Sequence, residues 1–267
     1  MMQSLGMGRR KKALLLSTGQ TTQYSSELDD GNYEKGIVKS YTVLTTGSQS
    51  GTTNIDLNHL VSETGAFTLA DQKYTDAGKC GVFKAGGGET IIITGSVSNN
   101  GTFTTVAADA NSITFASGIV NEADAPSTTF AKREAVSNNC IIDNNTGLMW
   151  LRSLVTKMGI AGDGKMPWTG VIYDIFQFCA ECNAASLGGY SDWRVSNMTE
   201  LYSILDNEAA TSLPDSTAFP AWTSSFIYTS STKTSNTLSA LFIDINTYQS
   251  SSGTKTTAAY QCALVRG

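Results

Sequence analysis

Asp143-Asn144-Asn145-Thr146-Gly147-Leu148-Met149-Trp150-Leu151 and Gly188-Gly189-Tyr190-Ser191-Asp192-Trp193-Arg194-Val195 decide how the second half of the chain is read. Tyr228-Thr229-Ser230-Ser231-Thr232 follows, and the sequence closes on Cys262-Ala263-Leu264-Val265-Arg266-Gly267. In the first stretch the Asp/Asn/Thr/Gly run reads as an Asx-type turn, because short polar side chains bond back to their own backbone. Between the first two stretches, Val171, Ile172, Ile175, Phe176, Phe178 and Cys179 give an apolar stripe at helical spacing over 169–185. Leu187-Gly188-Gly189-Tyr190 ends that helix with a left-handed glycine cap. A second helix starts after Ser196, with Asn197 as N-cap and Glu200 three residues on, a capping-box arrangement. Leu201, Ile204 and Leu205 form its buried side, and 240–245 and 258–265 read as strands. Helices followed by strands predict an α+β domain.

The preceding residues read differently. Ser40-Tyr41-Thr42-Val43-Leu44 is a short β-like run within 38–83, and a short helix is predicted around 54–61. Glu89-Thr90-Ile91-Ile92-Ile93-Thr94-Gly95 is a buried strand, and Asn100-Gly101 supplies the positive φ that a tight hairpin needs. Gly101-Thr102-Phe103-Thr104-Thr105-Val106 and Asn111-Ser112-Ile113-Thr114-Phe115 alternate as half-buried strands. This segment resembles small β modules of phage structural proteins over about 45 residues.

The order and spacing of the C-terminal motifs resemble the DUF1566 family, the C-terminal domain type of the Legionella collagen-like adhesin. That resemblance implies a C-type-lectin-like C-terminal domain with an inserted or preceding all-β module. The predicted organisation is a basic N-terminal arm (1–13), an opening segment of the lectin-like domain (14–37), an inserted β-rich module (38–135) and the lectin-like domain (136–267). Trp150, Trp193, Arg194 and Arg266 match the family motif and are expected to anchor the fold, the other reading being tryptophans that stack on sugars. The sequence departs from the family pattern at Ser196, where proline is usual, at Tyr228, where a tryptophan is usual, and in the terminal Cys-Ala-Leu-Val-Arg-Gly. The resemblance also implies a disulfide from Cys179 (or Cys182) to Cys262, formed only in an oxidising compartment.

Charged residues make up 15% of the chain and the net charge is −5, a balance that argues against nucleic acid as the main partner. No apolar run approaches the roughly 20 residues of a bilayer span, so no membrane insertion is expected. After Arg9-Arg10-Lys11-Lys12 the apolar run Ala13-Leu14-Leu15-Leu16 stops well short of the roughly 7–15 residues of a secretory core. The spacing of Cys179 and Cys182 suits a metal, but no second Cys or His pair accompanies them and the single histidine, His59, lies far away in sequence, so no metal and no cofactor are expected. A distant likeness to the formylglycine-generating enzymes, which bind copper through a thiol pair, directs attention to Cys179 and Cys182. No serine elbow or histidine–carboxylate set supports catalysis, so the protein is read as a non-enzyme.

Polar loops over 206–239 and 248–256, with aromatics interleaved, suit adaptable binding. Trp222, Phe226, Tyr228, Asn236 and Tyr248 are the candidate ligand-binding residues. The reading is a bacteriophage virion protein (tail fibre, tail tip or capsid decoration) that forms a homo-oligomer, a trimer, bound to other virion proteins and to a host-surface glycan or protein. The alternative is a bacterial adhesin, cell-surface or secreted, that binds glycans.

Overall fold

The computed structural model describes residues 39–267 except 63, 124–127, 155–163, 170–173, 206–213, 221, 223–225, 248 and 257–258. The 1–13 arm and 14–37 segment therefore lie outside the described residues, as does Tyr248. In chain order the first strands are β1 (Tyr41–Leu44), β2 (Thr52–Val61), β3 (Ala66–Thr68), β4 (Lys73–Thr75), β5 (Thr90–Thr94) and β6 (Gly101–Ala108). Next come β7 (Ser112–Phe115), β8 (Glu122–Ala123), β9 (Thr129–Ser137), β10 (Cys140–Asp143), β11 (Met149–Leu151) and β12 (Met166–Pro167). Helix α1 (Ile175–Ala184), β13 (Arg194–Val195) and helix α2 (Met198–Ile204) follow. The chain ends with β14 (Phe226–Thr232), β15 (Ser239–Asp244), β16 (Gln249–Thr254), β17 (Ala259–Cys262) and β18 (Leu264–Arg266).

This corrects the α+β expectation. Among the described residues strand accounts for 44% and helix for 13%, with two α-helices, so this part of the protein is mostly β. Among the described residues three sheets form: β2-β9-β5-β6-β7-β4-β3-β8, β1-β10-β11-β18-β13 and β12-β17-β14-β15-β16. All described pairings are antiparallel except β14 with β17. β1 falls within the 38–135 range, yet it pairs with β10 as an edge strand of the second sheet.

Local chemistry explains the elements. Asp174 caps α1 by accepting from the Phe176 and Gln177 N–H groups, while Asn197 and Glu200 close the capping box of α2. The predicted helix at 54–61 is instead β2. A bulge between Asn58 and Leu60 breaks the period-2 alternation, so Ile55, Leu57 and Leu60 are all buried at a spacing that imitates a helix. Ile55 and Leu57 then join one core, with α1 and the C-terminal strands, while Leu60 joins another inside the eight-stranded sheet.

One side-chain device turns three hairpins. Asp109, Asp143 and Asp244 each head an Asp-x-Asn-Ser/Thr run between paired strands. In each, one carboxylate oxygen accepts the asparagine N–H at 2.7, 2.9 and 2.9 Å, and the other accepts the Ser or Thr hydroxyl at 3.0, 2.7 and 2.9 Å. These are Asx turns, the reading given to Asp143 from sequence. A fourth carboxylate, Glu122, stitches a longer connection by accepting from Ser96 Oγ, the Val97 and Ser98 N–H groups and Asn99 Nδ2.

Candidate binding surface

The Asp-Trp-Arg stretch is consumed by the fold. Asp192 takes both Nε and Nη2 of Arg266 at 2.6 and 3.0 Å, and the Arg266 guanidinium lies 3.9 Å over the Tyr190 ring. Trp193, 3% exposed, donates its indole N–H to Leu187 O, and its own backbone is held by Asn183. Arg194 makes a bidentate contact with Glu200 at 2.7 Å through both nitrogens, tying β13 to the first turn of α2. Trp150 is fully buried and cannot present its face to a sugar.

The Arg194–Glu200 pair has a pH signature. Burial opposes ionisation of Glu200, but the Arg194 guanidinium and the Asn197 N–H outweigh it and hold the carboxyl below its ordinary 4.5. A carboxyl whose pKa is depressed on folding contributes stability that is complete above 4.5 and lost as pH falls through the lower folded value. Thermal melting followed from ~pH 6 down to ~pH 3 should show this loss, and Glu200→Gln should flatten that part of the curve.

The candidate ligand residues separate by depth. Tyr228 is fully buried and Trp222 is 3% exposed, so neither presents its ring to solvent. Trp222 packs edge-on to Phe219, and Tyr228 lies within the core beside Tyr260 and Phe242. Phe226 and Tyr228 share one face of β14. The inner residue is covered, and Phe226, nearer the strand end, stays 41% exposed. Asn236 is exposed, but it serves the β14–β15 turn, bonding Leu238 N and Ser239 Oγ.

The Cys179–Cys262 disulfide is not formed; all five cysteines are free and buried. The Cys179 thiol instead faces Trp193 O at 3.2 Å. Burial pushes the Cys80 and Cys140 thiols up to about 12 and Cys179 to about 11, and raises Cys182 and Cys262 as well. The thiolate is the metal-binding and nucleophilic form, and these thiols stay protonated near neutral pH. Among the described residues no group of three or more His, Cys, Asp or Glu side chains is arranged to hold a metal ion. No helix among them is long and apolar enough to cross a membrane.

Two surface features remain near the C-terminal sheet. The first is aromatic: Phe226 packs on Phe242 and Tyr260 at 5.2 and 5.1 Å, and Phe176, 37% exposed, meets Trp168 edge-on at 4.6 Å. Lys255 Nζ sits 4.0 Å over the Trp168 ring, whose indole N–H donates to Thr229 O. The second is a shallow groove of about 290 Å³ lined by Lys233, Leu241, Ser250, Ser251 and Ser252, where Lys233 Nζ donates to Ser252 Oγ at 3.1 Å. Trp168, Tyr260, Lys233 and Lys255 were not singled out from sequence; Tyr260 lies on β17 and the other three immediately follow β12, β14 and β16, strands of the sheet that holds Phe226.

The C-terminal strands, both helices and the terminal Arg266 together correspond to a recognised unit. Residues 139–266 match the Lcl C-terminal domain family. The match takes in all three Asp-Trp-Arg contacts described above and starts immediately before β10. No curated protein and no solved structure matches the chain. The region that matches the Lcl C-terminal domain family thus carries both the aromatic patch and the serine-lined groove.

Proposed function

We propose that the protein is an adhesin-type binding protein of a bacterial surface, or a secreted one, that acts by attachment and not by catalysis. The observation that carries this reading is the match of residues 139–266 to the Lcl C-terminal domain. The patch around Phe226 and the groove beside Lys233 support it, since they join exposed aromatic area to hydroxyl donors on a rigid sheet. The ligand is a host-surface glycan or protein, and homo-oligomerisation would add avidity.

A second reading, a bacteriophage virion protein, draws its support from the phage-like pattern of 89–115. Mass spectrometry of purified virions against the cell-surface and secreted fractions separates the two. Purified protein should bind host cells or a glycan array, and Phe226→Ala should weaken binding about tenfold or more while the melting curve still shows a folded protein. Wild-type protein that binds neither cells nor glycans overturns the adhesin reading.

A further inference from the structure

Among the described residues the three sheets present six edges, and five of them are blunted. β8, β12 and β13 are two residues long, and β12 ends in Pro167. β1 spans four residues, preceded by Lys39, whose ammonium bonds Leu205 O. β2 is long but carries the bulge at Asn58/Leu60 and the exposed Asp56–Arg133 ion pair, and α1 packs against it. Short length, proline, charge and bulges are the devices by which proteins keep sheet edges from pairing.

β16 has none of these. Gln249–Thr254 runs six residues without charge, proline or bulge, and every residue pairs in unbroken register with β15. Its side chains are small and neutral, and Gln249, Ser250 and Ser251 are exposed. We infer that β16 pairs antiparallel, edge to edge, with β16 of a second copy of this chain. A two-fold axis through Ser252 sets Ser252 opposite Ser252 of the partner, Ser251 opposite Gly253, Ser250 opposite Thr254, and Gln249 opposite Lys255. No like charges then face each other along the seam. Asp244, beside Gln249, comes to the end of the partner strand that is followed by Lys255, so opposite charges share each end of the seam. A foreign strand would lack this self-complementarity. The resulting ten-stranded sheet brings the two serine-lined grooves side by side, and it is a two-fold pair, distinct from the trimer suggested by the sequence.

Light scattering of full-length protein on a sizing column should give twice the monomer mass. Ser251→Lys/Ser252→Lys and Ser251→Glu/Ser252→Glu should each halve it, and mixing the two variants should restore the dimer. In wild-type protein, amide exchange across 249–254 should slow as concentration rises. Wild-type protein that stays monomeric, or Lys and Glu variants that keep its mass, overturns the inference. So does exchange at 249–254 that ignores concentration.

Discussion

Replacing Trp150 with alanine should lower stability by about 3–5 kcal/mol, the range for emptying a large aromatic site in a packed core. The side chain is fully buried among Ile141, Phe219, Trp222, Ile227, Ile243 and Val265, and its strand is bonded on both sides, to β10 and β18. Little can relax into the space, because the cavity would be walled by two sheets. The indole N–H has no hydrogen-bond partner, so it contributes packing alone. Trp150→Phe, which removes that orphan donor along with part of the volume, should cost much less than the alanine variant. Urea denaturation of the three proteins checks both statements; equal losses from Phe and Ala would mean that the nitrogen, not the ring volume, matters.

Breaking the Lys132–Glu89 pair from one side should be comparably costly. The ammonium and carboxylate meet at 2.9 Å with side chains 6% and 16% exposed, Lys132 on β9 and Glu89 immediately before the adjoining β5, and Lys132 lies 5.5 Å over Phe83. Removing one partner leaves a poorly solvated charge, at about 3–5 kcal/mol. Lys132→Met alone should therefore be strongly destabilising. The double variant Lys132→Met/Glu89→Gln should recover most of the loss, because neither charge then needs compensation. A double variant no better than the single one would assign the cost to lost packing of the lysine stem.

Much of the local architecture was legible. The α2 capping box, the apolar stripe of α1 and the β5–β6–β7 strands are written in short-range patterns that need no tertiary information. The helix read over 169–185 nevertheless runs Ile175–Ala184 behind the extended N-cap Asp174, and Ser186, not a glycine, takes the left-handed position after it. The Asx turn at Asp143 was equally readable, and the same Asp-x-Asn-Ser/Thr run at Asp109 and Asp244 would have located two more hairpins. Fold class was misread because two strongly patterned helices stand out against many short, hydroxyl-rich strands whose pairing is long-range. β2 was misread because a bulge hides alternation. At the candidate site the limit was depth. Phe226 and Tyr228 are indistinguishable by periodicity, since they share a face, and only the packing of Phe242 and Tyr260 decides which one sees solvent. Trp222 resembles a loop aromatic in sequence, but it is buried against Phe219, next to a turn in which Asp215 accepts the Thr217 and Ala218 N–H groups. The motif tryptophans and arginines could be expected to anchor something, though not that the final arginine would reach back to Asp192.

The way β2 and β9 are shared has a consequence for how the molecule comes apart. Ile55, Leu57 and Val136 are lodged among Phe178, Cys182, Trp193 and Leu264, and β1 completes the sheet to which the family-matching region contributes β10. Cutting the chain at the start of the family match would strip a greasy wall and a bordering strand from the remaining half, while the excised half would carry bare aliphatics into water. Heating or urea should therefore melt both halves in a single step, and proteases should find no seam that releases one of them intact.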